Sequence, residues 1–435
     1  MSLFGSSGIR GIIGQDVTPE LAISIGAAVG SMFDKILLAK DTRSSGDMVS
    51  SALSAGIMST GCDVAYAGTL PTPTLARAAK AYDAGLMVTA SHNPPEYNGV
   101  KMWNPDGSAF GNEQMRNVEE LIKAREQRLV SWEQVGRIGT HSGAIEDHIE
   151  SILDSVGASE SSLVVIDCGN GATCSVSPLL FRRMGCSVVG LNCQEDGFFP
   201  GRPSEPSEEN LEDLRHLVVK KGAKLGIAHD GDGDRMVAFD ERGRFVDGDR
   251  LLALFTILTE AKEVVAPVDA SMVLDDLVKK RVIRTRVGDV YVSEVLKTTG
   301  AEFGGEPSGT FIFPKQTFCP DGIYAAAFLL SRLEKAQLSQ LIDSIPLYPV
   351  IRKSFAFPPA RRSEIEMKIR QAIASLPFQE MLELDGYRAQ FEEGWVLVRI
   401  SGTEPKVRMT VEAKKKENLK KLGMMAEETI RRCLA

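Results

Sequence analysis

The stretch "HDGDGDRMVAFD" sets Asp230, Asp232 and Asp234 at alternate positions with glycines between them. Three carboxylates this close repel one another, so the arrangement is costly unless a cation sits among them. Oxygen-only ligands favour a hard dication, Mg²⁺ or Ca²⁺, over zinc. Asp230, Asp232, Asp234 and Glu241 fall at the first, third, fifth and twelfth positions of an EF-hand-like loop. Its sixth position holds Arg235 where that loop needs glycine, and the flanks "KLGIAH" and "MVAF" read as strands where it needs helices. A tight strand-to-strand turn holding Mg²⁺ fits better, with the Arg235 guanidinium beside it as a bidentate partner for phosphate oxygens.

A second group lies in "TASHNPPEYNGVK", where Ser91 ends an apolar run and opens a loop rich in Asn, Pro and Gly. The surroundings are not the GxSxG elbow of a hydrolase. Combined with the ladder, Ser91 reads as a phosphoserine whose oxygen completes the Mg²⁺ sphere. Phosphoryl transfer asks mainly for positioning and charge neutralisation, which Mg²⁺, Arg235 and a lysine supply. Lys101 is the expected proton-transfer group, with its pKa lowered by cationic surroundings, and His92 orients the loop.

Two further loops suit a sugar phosphate. In "FGGEPSGTFIF", Glu306 and Ser308 offer a carboxylate and a hydroxyl to vicinal sugar hydroxyls, on glycine-rich backbone that permits close approach. In "RISGTEPKVRMTVEA", Ser401, Gly402 and Thr403 offer hydroxyls and N–H groups between Arg399 and Arg408, a cradle for phosphate. "CGNGATC" lacks the third glycine of a dinucleotide fingerprint and reads as an ordinary loop. No GxxxxGK[ST] occurs in the chain, which argues against a nucleoside-triphosphate engine.

Composition narrows the classes. A net charge of −8 with no basic tract argues against nucleic acid as partner. Seven scattered cysteines without a CxxC pair point away from a disulfide framework and from zinc, towards a reducing compartment. No apolar run approaches the about 20 residues of a membrane span, and "MSLFGSSGIRG" is no signal peptide; the expectation is a cytoplasmic protein with no membrane partner.

Positioning these loops falls to alternating short strands and helices, an α/β pattern. "KILLAKD", "DVAYAGT" and "GLMVTAS" read as strands, with helices near 19 to 32, 45 to 60 and 112 to 129. The pattern restarts at "SSLVVIDCGNG", "CSVVGLN" and "KLGIAHD", and again after "VDGD" with "DASMVLDD" and "AEFGGEP". The proline-bearing "PLYPVIRKSFAFPP" is expected to be a linker before a smaller unit of strands and two helices. Four domains are expected, at 1–148, 149–245, 246–345 and 346–435.

In order and spacing, "TASHNPPEYNGVK", "DGDGDR", "GGEPSG" and "RISGTEPKVR" resemble the four signature loops of the α-D-phosphohexomutase family, and "FGSSGIRG" resembles its N-terminal motif. The resemblance spans the chain with one motif per expected domain. It implies three similar α/β domains with mixed sheets and a smaller two-layer α+β domain around one cleft. It further implies Ser91 as phosphoryl donor and acceptor, Asp230, Asp232 and Asp234 as Mg²⁺ ligands, and Arg10 and Lys101 near the transferring group, where the residues already place Arg235. Glu306 and Ser308 would read the sugar, and Arg399, Ser401, Gly402, Thr403 and Arg408 its phosphate. The implied reaction interconverts hexose 6- and 1-phosphates through a hexose 1,6-bisphosphate that turns around in the site, in a monomer or homodimer.

Substrate choice is expected where the loops depart from common patterns: Pro307 and Thr310 in "GGEPSGT", and Asp289 in "TRVGDVYV", which is closer to the glucosamine-phosphate type than to mannose or glucose types. Glucosamine phosphate is therefore the expected substrate, with mannose, glucose or pentose phosphates as alternatives. Outside the class stand a Mg²⁺-dependent sugar phosphatase, which would release phosphate, and a calcium-binding module, which would carry no phosphoserine.

Overall fold

The computed structural model describes residues 8–158, 161–333, 336–401 and 405–435. Among them four sheets follow one another along the chain. The first has six strands in the order Ile9–Ile12, Tyr97–Trp103, Ala84–Val88, Lys35–Lys40, Asp63–Thr69 and Ile138–Thr140. Its last four are parallel, while Tyr97–Trp103 runs antiparallel to both its neighbours. Parallel strands covered on both faces need continuous apolar side chains, and Ala84–Val88 is buried at every position.

The second sheet orders Phe245–Val246, Met236–Phe239, Leu225–His229, Leu163–Asp167 and Ser187–Leu191. A third, of four strands, is ordered Arg281–Thr285, Glu263–Pro267, Phe303–Gly305 and Phe311–Ile312. Both mix parallel and antiparallel pairs. The fourth sheet is fully antiparallel, with helices Arg362–Ala374 and Lys416–Leu434 forming a second layer. The expected fold class therefore holds: mixed α/β sheets followed by an antiparallel α+β unit. One core runs unbroken from Ile166 and Ile227 of the second sheet to Phe255, Phe303 and Phe328 of the third unit.

Two expectations are corrected. "DASMVLDD" is no strand; the strand is Glu263–Pro267, and Val273–Leu277 is helical. The turn between them is set by Ser271, whose Oγ accepts from the Val273 N–H at 3.1 Å and donates to Glu412 at 2.6 Å. The stretch expected to be a linker contains strand Val350–Ala356, paired along its length with Lys406–Ala413. Its prolines flank that strand instead of interrupting it, so no ladder donor is lost.

Third and fourth units are joined by polar contacts. Glu412 accepts from Ser271 Oγ, the Met272 N–H and Trp395 Nε1 at 2.6 to 2.7 Å. The Arg388 guanidinium donates to the Val268 carbonyl at 2.5 Å and lies 4.2 Å from the Trp395 ring centroid. No described helix is long and apolar enough to cross a membrane.

Candidate functional site

Strand Ala84–Val88 ends two residues before the loop that carries Ser91, whose backbone takes the left-handed region at φ 52°. Such a conformation is strained for serine and persists only if its surroundings enforce it. They do so through Arg43. Its guanidinium donates to four carbonyls: Ser91 at 2.8 Å, Asn93 at 2.7 Å, Pro94 at 2.6 Å and Tyr97 at 2.9 Å. Asp41 pairs with that guanidinium at 3.1 Å and accepts from Thr89 Oγ1, which in turn accepts the Ser91 N–H at 2.8 Å. Ser91 is 1% exposed, so it is enclosed although it sits in a loop.

That hydroxyl reaches across to the second unit and donates to Asp230 Oδ2 at 2.7 Å. The aspartate ladder is the turn between strands Leu225–His229 and Met236–Phe239, as its flanks predict. Carboxylate oxygens of Asp230, Asp232 and Asp234 lie within 4.8 Å of one another, and all three residues are buried. Asp232 Oδ1 and Asp234 Oδ1 have no hydrogen-bond partner among the described residues. Buried carboxylate oxygens without donors are strongly disfavoured, and two of them beside a third carboxylate suit a hard dication. This buried triad can bind a metal.

Lys101 Nζ occupies the flank of the triad, 2.7 Å from Asp232 and 2.6 Å from Asp234. Burial alone pushes the Lys101 ammonium towards neutrality, but Asp232 and Asp234 outweigh it and its pKa is raised. The expected depression is thus reversed, because the nearest charges are carboxylates and not cations. Burial likewise disfavours the charged Asp230, which the neighbouring Asp234 and Asp232 push further up, whereas Lys101 carries Asp232 down despite its burial. His92 Nδ1 lies 3.4 Å from Ser91 Oγ, and burial with Arg235 and Arg10 nearby lowers its pKa to about 3. It is therefore neutral at pH 7. Arg10 stands on strand Ile9–Ile12 beside Gly99, where its charge is felt by both Asp232 and Lys101.

The loop carrying Glu306 is stitched to the ladder's turn. The Met236 N–H donates to the Gly309 carbonyl at 3.0 Å, and Arg235 bridges to Thr310. Glu306 Oε1 accepts the Gly288 N–H at 2.7 Å, while Ser308 and Thr310 hydroxyls face its other oxygen at 3.4 and 3.2 Å. Burial first, then Asp289, pushes the Glu306 carboxyl up to about 7. Arg235 feels Asp230, Asp234, Glu306 and Asp289 together, and its buried Nε has no partner among the described residues.

Ser91, Lys101, Arg10, His92, Arg235, the three aspartates and Glu306 with Ser308 therefore share one place. Arg399 and Arg408 stand apart from them, directly opposite each other on the fourth sheet. With Arg352, Lys353 and Lys406 they line a cationic hollow that Asp269 borders. Arg399 pairs with Asp385 at 2.6 Å, and Arg362 holds the Ser401 carbonyl at 2.8 Å. Gly402 and Thr403 lie outside the described residues.

Several supporting residues escape a sequence reading. Arg43 has no local signature for this role, since its carbonyl acceptors lie 48 to 54 residues away. Thr72 donates to Asp232 Oδ2 at 2.6 Å across 160 residues. Arg202 joins Asp167 to the His229 carbonyl, fixing the strand end from which the ladder springs. The "CGNGATC" loop, read as ordinary, buttresses the ladder: the Ala172 N–H donates to the Gly231 carbonyl at 2.8 Å. A Cβ on Gly171 would sit 2.5 Å from that same oxygen, so the approach requires glycine.

Four successive family models match the chain, described as phosphoglucomutase/phosphomannomutase alpha/beta/alpha domains I, II and III and C-terminal domain. They cover residues 1–129, 146–243, 247–348 and 360–429. A protein of Methanocella arvoryzae named probable phosphoglucosamine mutase is 49% identical, over 100% of this chain and 99% of that one. One of the same name from Methanosarcina acetivorans is 46% identical over the full length of both. Among solved structures, a phosphoglucomutase/phosphomannomutase family protein from Burkholderia thailandensis matches with a TM-score of 0.89 at 28% identity. That match covers 99% of this chain and 97% of the other.

Proposed function

This chain belongs to the phosphoglucomutase/phosphomannomutase family, the α-D-phosphohexomutases, and is an isomerase of that kind; within it, we propose that the chain interconverts glucosamine 6-phosphate and glucosamine 1-phosphate. The reading rests on one observation: buried Ser91, its backbone strained, donates its hydroxyl to one member of an aspartate triad in which two carboxylate oxygens have no donor among the described residues. The choice of amino sugar is supported by full-length relatives named phosphoglucosamine mutase.

Asp230, Asp232 and Asp234 would hold Mg²⁺, and the dication, when bound, neutralises charge gathering on the transferring phosphoryl group. Phosphorylated Ser91 gives up its phosphoryl group: the P–Oγ bond breaks, a P–O bond forms to a sugar hydroxyl, and one proton passes from that hydroxyl to Ser91 Oγ. Lys101, held as an ammonium by Asp232 and Asp234, is the proposed relay: it donates to the departing Oγ and regains the proton that the hydroxyl releases. Arg235 and Arg10 hold the non-transferring phosphoryl oxygens, while His92, neutral, keeps the loop in place.

Glu306 and Ser308 accept and donate to sugar hydroxyls, and Arg399, Ser401, Gly402, Thr403 and Arg408 hold the distal phosphate. The bisphosphorylated sugar then turns end for end and its other phosphate returns to Ser91 Oγ, restoring the phosphoserine and a sugar hydroxyl. A reducing, cytoplasmic setting suits seven free thiols.

The test is ³¹P NMR of the protein with Mg²⁺, a trace of the matching 1,6-bisphosphate, and glucosamine, glucose, mannose or ribose phosphate in separate tubes. Interconversion fastest with glucosamine phosphate is the expected result. A faster rate with another sugar overturns the substrate, and accumulation of inorganic phosphate without interconversion overturns the mutase reading.

A further inference from the structure

Thr74, His148 and Asp321 form a hydrogen-bonded chain that no step of the proposed mechanism uses. Thr74 Oγ1 lies 2.8 Å from His148 Nδ1, and His148 Nε2 lies 2.9 Å from Asp321 Oδ2. A carboxylate only accepts, so Nε2 carries a proton, and in the neutral ring Nδ1 accepts from the Thr74 hydroxyl. The order of groups is that of a nucleophile, its base and an orienting acid, but a nucleophile needs access to a substrate. Thr74 is fully enclosed and His148 and Asp321 are buried, so the chain has another use.

Its members come from three parts of the fold. Thr74 stands in helix Thr72–Ala78 of the first unit, His148 in helix Ala144–Val156, which leads from the first sheet to the second, and Asp321 precedes helix Gly322–Arg332 of the third unit. The two outer members belong to the elements that grip the aspartate turn. At the head of helix Thr72–Ala78, the Thr72 N–H donates to the Asp232 carbonyl at 2.8 Å and Thr72 Oγ1 to Asp232 Oδ2 at 2.6 Å. At the head of helix Gly322–Arg332, the Gly322 N–H donates to the Gly233 carbonyl at 3.2 Å. Asp321 Oδ1 caps that helix by accepting from the Ile323 and Tyr324 N–H groups at 3.0 and 2.8 Å. Both heads crowd the turn: a Cβ built on Gly233, at φ 77°, would lie 3.3 Å from Pro71 and 3.8 Å from Ile323. Asp232 and Gly233 are therefore held by helix heads from two different units, and His148 ties those heads to each other.

We propose that His148 is a positioning residue for the metal turn: by fixing the spacing of the two helix heads it sets the geometry in which Asp230, Asp232 and Asp234 take Mg²⁺. The inference rests on the reading of this triad as a Mg²⁺ site. His148 acts through Thr74 and Asp321 and not on a ligand directly. Groups that orient metal ligands are worth roughly ten- to a hundred-fold in affinity, and a residue one contact further out belongs at the lower end of that range.

Mg²⁺ binding to the full chain by isothermal titration calorimetry, well below the melting temperature, tests this without turnover. His148→Leu keeps similar bulk but neither hydrogen bond, and is expected to weaken Mg²⁺ binding about tenfold. His148→Gln restores a donor and an acceptor and is expected to recover most of that loss. Ile430→Ala, in the separate core of the fourth unit, is the control for general destabilisation: it is expected to lower the melting temperature and leave Mg²⁺ affinity as in wild type. Should His148→Leu fail to fold, Thr74→Val removes one of the two bonds and is expected to weaken Mg²⁺ in the same direction. Wild-type affinity in the folded variant, or an equal loss in Ile430→Ala, overturns the positioning role. A wild-type chain that takes up no Mg²⁺ overturns instead the metal reading on which that role rests.

Discussion

Ser91 Oγ and Asp230 Oδ2 lie 2.7 Å apart although 139 residues separate them in the chain. The bond joins the loop of the first unit to the ladder of the second, and neither residue is more than 1% exposed. Removing the hydroxyl by Ser91→Ala should lower turnover at least about a thousand-fold, because it removes the proposed attachment point of the phosphoryl group. Phosphate content by intact mass, together with the rate, checks it; a variant that retains phosphate and full rate would remove Ser91 from the mechanism.

Asp232 accepts from Lys101 and Thr72 through one oxygen, and its other oxygen has no donor among the described residues. Asp232→Asn should raise the Mg²⁺ concentration for half-maximal activity by roughly ten- to a hundred-fold, as loss of one charged ligand does. An unchanged Mg²⁺ titration would take this residue out of the ligand set.

Arg43 is 1% exposed and holds four carbonyls of the serine loop besides Asp41. Arg43→Met leaves Asp41 as a buried carboxylate without its cation, a change that costs on the order of 3 to 5 kcal/mol. The melting temperature should fall by several degrees, and turnover should fall further than stability alone explains, since the left-handed Ser91 loses its clamp. A variant with wild-type rate and melting temperature would show that the loop holds its shape unaided.

Glu306 carries a pKa raised from 4.5 to about 7 by burial and by Asp289. Between those values the folded chain binds a proton that the unfolded chain has released, so this group's contribution to stability falls as pH rises from about 4.5 to about 7. Urea midpoints at pH 5 and pH 8 should show the loss, and Glu306→Gln should reduce it. An equal loss in that variant would assign the pH dependence to other groups.

Glu306 also faces the Ser308 and Thr310 hydroxyls. Glu306→Ala should raise KM for the sugar phosphate about tenfold or more with a smaller change in kcat, because it removes the proposed binding to sugar hydroxyls. Equal loss in kcat with KM unmoved would place Glu306 at the reacting group instead.

The alternating aspartates, the serine after an apolar run, and the glycine-rich loops were legible in the sequence, because each is a local pattern whose residue types state their chemistry. Strand Val350–Ala356 was misread because prolines on either side masked seven residues that acquire their ladder only from Lys406–Ala413. The helix Val273–Leu277 was misread for a similar reason, since the Ser271 turn that starts it is tied to Glu412 on another unit.

By itself, then, the sequence determined which side chains are present for chemistry, the α/β alternation that presents them, and the family. Only the tertiary structure decided their charge states and partners. Lys101 is expected to have a lowered pKa until Asp232 and Asp234 are found to close on it, and nothing in the sequence marks Arg43, on whose guanidinium four distant carbonyls converge. Electrostatics depends on distance and burial, and neither quantity exists along the chain until residues far apart in number are brought together by the packing of the sheets.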